Sequence, residues 1–196
     1  MERMKMAETA AKQSMKARYG KLRKRGVTLT EAAAVLGIFA IVVIGALTLY
    51  STTNQTRLLN QTNSDLNVIQ QAIRSIYSGQ SDYTGANPAM LVTTKAVPQR
   101  MVSGTGLRHA MNGNIDIAPA AVNGTANAGF RITFQNVPVE ACAKLLAADL
   151  GRNLWASGVG TNPTRTQDAG LPYTPAEAAT ACQGSSAYQT VSWVFN

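Results

Sequence analysis

Residues Ala32–Leu49 read AAAVLGIFAIVVIGALTL, a stretch with no charge and a single hydroxyl, Thr48. As a helix these residues span about 27 Å, close to the roughly 30 Å hydrocarbon core of a bilayer. The charge-free stretch continues to Thr56 and ends at Arg57. A buried core helix is the alternative, but core helices are rarely apolar on every face over this length. We read the segment as a membrane span.

The charge distribution orients it. The chain has 18 Lys+Arg, 10 Asp+Glu and one His, for a net charge of +8. Residues 1–26 hold nine basic residues against Glu2 and Glu8, which is +7, so residues 27–196 carry only +1. The basic run lies on one side of the span alone, which places it in the cytoplasm and the remaining chain across the membrane. A nucleic-acid surface would put its basic patch on the folded domain, and this domain is nearly neutral. No nucleic-acid partner is expected for it.

The junction reads Lys21-Leu22-Arg23-Lys24-Arg25-Gly26-Val27-Thr28-Leu29-Thr30-Glu31. A secretory signal has a shorter apolar stretch and an A-x-A-like exit, and neither fits here. Glu31 is the only charge between Val27 and Arg57, and a carboxylate at the mouth of a span costs free energy unless it finds a partner. One account is local. Thr28 would cap the helix and Glu31 would reach back from the third position, favoured by the helix dipole.

Taken together, a basic leader, Gly26, Val27, Glu31 and an apolar helix in that order resemble the class III signal of type IV prepilins. The long leader and a first mature residue other than Phe look like the type IVb branch, that of the toxin-coregulated, bundle-forming and plasmid thin-pilus pilins. Thr30 and Ala32-Ala33-Ala34 depart from the bulkier aliphatics usual beside the Glu. The resemblance implies cleavage by a prepilin peptidase between Gly26 and Val27, N-methylation of Val27, and a role for Glu31 in filament assembly. It also implies the inner-membrane pilus assembly machinery as a partner. The head would be periplasmic before assembly, and the subunit would end in an extracellular helical homopolymer. The expected organisation is a leader over 1–26, a transmembrane and filament-core helix over 27–56, and a globular head over 57–196.

Beyond the span, Leu59, Thr62, Leu66, Ile69, Ile73 and Ile76 recur at steps of three and four, one face of a continuing amphipathic helix. No Pro lies between Val27 and Ser78, and Gly79 is a natural stop. This predicts a single helix over about 27–78. Polar residues crowd 51–64, and Gly37 and Gly45 lower helix propensity further. Met90–Val92 and Gly113–Ile117 read as short strands. Gly129–Phe134 alternates as a strand, Pro138 opens a helix over Val139–Leu150, Thr174-Pro175-Ala176-Glu177 starts another to about Cys182, and Tyr188–Phe195 is a last strand. The expected class is α+β: a long N-terminal helix, transmembrane then amphipathic, packed on an antiparallel sheet head with a C-terminal disulfide-bounded region.

Cys142 and Cys182 are the only cysteines. In a cytosolic protein two free thiols would be the better reading, but across a membrane one disulfide is favoured. In the family such a bridge bounds a surface-forming region. No P-loop, GxSxG, HExxH or GxGxxG occurs, and the acids of residues 27–196 are scattered. His109 reads as a surface residue, and Trp155 and Trp193 as packing residues. Asn54, Asn60 and Asn123 each begin an Asn-x-Thr triplet, a match common by chance. No catalytic residue, metal site or cofactor is expected, and the chain is not expected to be an enzyme.

The leading reading is therefore the major pilin of a type IVb pilus, serving adhesion, aggregation or conjugation. A minor pilin or a type II secretion pseudopilin shares the junction. A single-span membrane-anchored binding protein that keeps its leader is the third reading.

Overall fold

The computed structural model describes residues 28–196, with Ser51 and Thr52 described in backbone alone. The proposed leader 1–26, including Gly26, and also Val27, lie outside the described residues. The chain divides into two compact units, one ending at Tyr50 and the other Ser51–Asn196.

One helix, α1 (Leu29–Ile76, 48 residues), belongs to both. In the first unit its side chains are exposed throughout, and its apolar window has a mean hydropathy of 2.7 with none of it buried. In the second unit the expected stripe is the buried one. Leu59, Thr62, Leu66, Ile69 and Ile73 lie at 0–8% exposure, the 3.6-residue period turning one face to the sheet. The Thr62 hydroxyl donates to the Leu58 carbonyl at 2.8 Å, so its burial leaves no polar group unpaired.

The head follows as α2 (Pro88–Thr93), a 3-10 turn Gln99–Met101, β1 (Val102–Ser103), β2 (Gly106–Arg108), β3 (Asn114–Val122), β4 (Thr125–Pro138), α3 (Val139–Leu146), β5 (Leu154–Val159), β6 (Arg165–Thr166), a 3-10 turn Gln167–Ala169, α4 (Pro175–Cys182) and β7 (Tyr188–Phe195). The strands form one seven-stranded sheet in the order β1-β2-β3-β4-β7-β5-β6. Every pairing is antiparallel. The last strand of the chain thus lies in the middle of the sheet, between β4 and β5. Between α1 and the sheet sit Phe130, Phe134, Trp193 and Phe195, all fully buried. The Phe134 and Trp193 rings meet edge to face at 5.2 Å, an arrangement favoured by the ring quadrupole.

Several elements differ from the sequence expectation. Met90–Val92 is helical, because the Asn87 carboxamide oxygen accepts from the Met90 amide at 2.9 Å and Pro88 takes the first turn. That cap turns the apolar Leu91 into the core. α3 stops at Leu146 and not at Leu150, since the chain turns where the Asp149 carboxylate accepts from the Gly151 amide at 2.9 Å. β4 extends well beyond Gly129–Phe134, and β5 was not anticipated. Its sequence LWASGV does not alternate, and Leu154, Ala156, Ser157 and Gly158 are all buried, as in a strand covered on both faces. An added Cβ at Gly158 would stand 3.2 Å from the Pro163 backbone. His109 is buried, not a surface residue, at 2% exposure.

Candidate functional site: the apolar helix and the disulfide-bounded region

The start of α1 is locally determined. The Thr28 hydroxyl oxygen accepts from the Glu31 amide at 3.3 Å, and the Thr28 carbonyl accepts from the Ala32 amide at 3.0 Å. Thr28 therefore acts as the N-cap, and Glu31 stands exposed in the first turn. After it come Val35, Leu36, Ile38, Phe39, Ile41, Val42, Ile44, Leu47 and Leu49, each at least 61% exposed. A helix surface so uniformly apolar is stable only in lipid or against other apolar helices. Within it the Thr48 hydroxyl donates to the Gly45 carbonyl at 2.9 Å, which removes its polar character from that surface. Added Cβ atoms at Gly37 and Gly45 would meet nothing within 4 Å. Neither glycine is demanded by packing among the described residues, and both leave flat places where another helix could approach closely.

Within the second unit, the region around the disulfide is organised by covalent and ionic ties. Cys142 on α3 and Cys182 at the end of α4 are bonded, with their Cα atoms 6.0 Å apart and a sequence separation of 40. Inside that loop, α4 opens with a full capping box. The Glu177 amide donates to the Thr174 hydroxyl at 3.4 Å, and the Thr174 amide donates back to the Glu177 carboxylate at 2.9 Å. The Thr174 hydroxyl adds a bond of 2.7 Å to the same oxygen, and Arg165 reaches it at 3.1 Å. These bonds, those from Thr174 first, hold the Glu177 carboxyl down at about 2. The Arg165 guanidinium also lies 4.4 Å from the centre of the Tyr173 ring. One arginine on the edge strand β6 thus ties the segment before α4 to the sheet.

Two features of the head escaped the sequence. Asp65, on the buried face of α1, is 1% exposed and pairs with Arg100 at 2.7 Å. The signal was available in part, because Asp65 lies three residues after the core-facing Thr62, within the apolar stripe. His109 gave no sequence signal, since its burial depends on a hairpin turn folding onto β4.

The family profile described as PilS N terminal matches residues 56–196. The chain belongs to the PilS family. This PilS-family chain is 26% identical over 184 residues to the major structural subunit of bundle-forming pilus of Escherichia coli O111:H-, covering 87% of this chain and 93% of the relative. It is 28% identical over 132 residues to the toxin coregulated pilin of Vibrio cholerae, covering 65% of this chain and 59% of that one. Among solved structures, the crystal structure of TcpA, a type IV pilin from the Vibrio cholerae El Tor biotype, aligns with a TM-score of 0.50 at 16% identity. That alignment covers 71% of this chain and 99% of TcpA, and shows a shared fold. The PilS-family chain is thus a type IVb pilin, with the helix, antiparallel sheet and disulfide-bounded region expected of one.

Proposed function

We propose that this pilin is the major structural subunit of a type IVb pilus, and that it polymerises through α1. The observation that carries the reading is the helix surface from Val35 to Leu49, exposed in the single chain and joined to a disulfide-bonded head of the PilS family. Lipid covers that surface before assembly, and the same surface of other copies covers it afterwards. Head-to-tail contacts between identical copies do not close, so they generate a helical polymer.

In this reading the chain enters the inner membrane with residues 1–26 in the cytoplasm and the head in the periplasm. A prepilin peptidase cuts between Gly26 and Val27, and Val27 is then N-methylated. The assembly machinery withdraws α1 from the bilayer into the growing, extracellular filament. Glu31 meets the Val27 amine of a neighbouring copy, where opposite charge offsets the burial of both. The pilus serves contact between cells or with surfaces: adhesion, aggregation or conjugation.

N-terminal sequencing of filaments sheared from the cell surface tests the reading. The expected result is this chain as the dominant protein, beginning at methylated Val27. Filaments that retain residues 1–26 would overturn the processing step. A chain present only in trace amounts in the filaments would make it a minor pilin or pseudopilin.

A further inference from the structure

The turn between β2 and β3 carries a buried imidazole. His109 is 2% exposed, and it is the only histidine in the sequence. Its Nε2 lies 2.9 Å from the Gln135 carbonyl oxygen, and its Nδ1 lies 3.2 Å from the Met111 amide nitrogen. These partners assign the tautomer. The carbonyl can only accept, so Nε2 bears the hydrogen; the amide can only donate, so Nδ1 is bare. The ring also stacks on Phe134, 5.0 Å between centres and 19° from parallel.

The backbone around it is built for this contact. The His109 amide donates to the Gly113 carbonyl at 3.0 Å and closes the turn. An added Cβ at Gly113 would collide with both the Gln135 carbonyl oxygen and His109 Nε2. Gln135 itself sits where β4 slips register against β7, between Phe134 and Val137, beside Asn136 at φ 58°. One side chain therefore joins the β2–β3 turn to the irregular stretch of β4.

We propose that His109 is an acid-sensitive latch in the pilin head: a proton taken up on Nδ1 sets donor against donor at the Met111 amide and releases the turn 109–113 from β4. The step adds one proton from solvent to the Nδ1 lone pair, and only hydrogen bonds break. Met111 lines an apolar groove together with Leu58, Leu59, Ala141 and Tyr188, so release of the turn alters the wall of that groove.

The charged groups around the ring are Asp65, Arg100 and Arg108. On α1, Asp65 favours the protonated ring, but Arg100 holds that carboxylate at 2.7 Å. On β2, the adjacent Arg108 opposes added positive charge, with its guanidinium on the Asn112 carboxamide at 2.8 Å. β4 presents Phe134 and Gln135, both uncharged. Burial outweighs the favourable Gln135 bond and Asp65, and holds the imidazole below its ordinary 6.5. The latched turn therefore prefers the neutral ring. Its contribution is complete above pH 6.5 and is lost as pH falls through the depressed value.

The test uses full-length, nitrogen-15-labelled pilin in detergent micelles between pH 7.5 and 4. With one histidine, the imidazole nitrogen signals belong to His109 alone. The expected result is the Nε2–H tautomer at neutral pH and a midpoint below about 6.5. The hydrogen-exchange protection of the Met111 amide should fall about tenfold per pH unit between those two values, while Ile132 in the core stays protected. His109→Gln, which does not titrate, should show Met111 protection that no longer changes with pH. Should that variant fail to fold, the wild-type titration decides alone. A midpoint at or above about 6.5, or Met111 protection that stays level with pH, overturns the latch. A parallel loss at Ile132 overturns it too, because the head would then be unfolding as a whole.

Discussion

Asp65 on α1 and Arg100 in the turn before β1 meet at 2.7 Å, although they lie 35 positions apart in sequence and the Asp65 side chain is only 2% exposed. The pair fastens the segment between α1 and the sheet to the helix itself. Gln61, one turn earlier on α1, adds a bond to the same carboxylate oxygen at 3.2 Å. The carboxylate is thus compensated mainly by one guanidinium, which is itself 48% exposed.

Arg100→Ala is expected to leave that carboxylate buried with Gln61 alone. The loss should be about 2 kcal/mol, below the figure for a fully buried pair because solvent already screens the arginine. Asp65→Asn in the same chain should recover at least half of it, since the orphaned charge is then gone. Denaturant midpoints of the single and double variants check both statements. A double variant no better than Arg100→Ala would mean that the arginine acts by packing.

Glu31→Gln separates capping from charge pairing. Gln still fits a capping box, so a purely local role predicts a loss of about 1 kcal/mol or less. Pairing with a neighbour's Val27 amine predicts about 3–5 kcal/mol per contact, repeated along the filament. We expect a variant that is cut after Gly26 and stable, yet poorly piliated. Surface filament yield against total processed pilin is the measurement, and normal piliation would leave capping as the role of Glu31.

Cys142→Ser opens a covalent loop with a sequence separation of 40. In the chain-entropy account that loop contributes about 4 kcal/mol, a large share of the stability of a domain this size. Steady-state pilin should fall, and the head should become sensitive to protease. Unchanged abundance and an unchanged unfolding midpoint would show that the α3–α4 packing suffices without the bond.

The Thr174–Glu177–Arg165 cluster makes a prediction about acid. The Glu177 carboxyl is held down from 4.5 to about 2, so its contribution is present above pH 4.5 and is lost as pH falls through about 2. Glu177→Gln should therefore lower the thermal midpoint at neutral pH, and the gap to wild type should close near pH 2. A gap that persists at pH 2 would assign the effect to the shape of the side chain and not to its charge.

The elements legible in the sequence were those set by local chemistry. α1 announced itself by the charge-free run and then by a stripe at steps of three and four. α4 announced itself by Thr174 and Glu177, which form the capping box at its start, and by Pro175 in its first turn. β7 runs from Tyr188 to Phe195 as expected, although Val191–Phe195 are all buried because the strand is central in the sheet. Three apolar residues at Met90–Val92 fit either period, and Asn87 ahead of Pro88 is the signal that makes them helical.

By itself, the sequence determined that an apolar helix would continue into an amphipathic one, and that the helix would carry a mixed head. Each of these rests on periodicity and on the cost of exposing or burying charge, which neighbouring residues settle among themselves. The tertiary structure alone decided that β7 sits between β4 and β5 and that the small residues of β5 form a strand. It alone decided that Asp65 finds Arg100 and that His109 is buried against Gln135. These relations join residues tens of positions apart, and their energy appears only when the chain closes on itself and removes both partners from water.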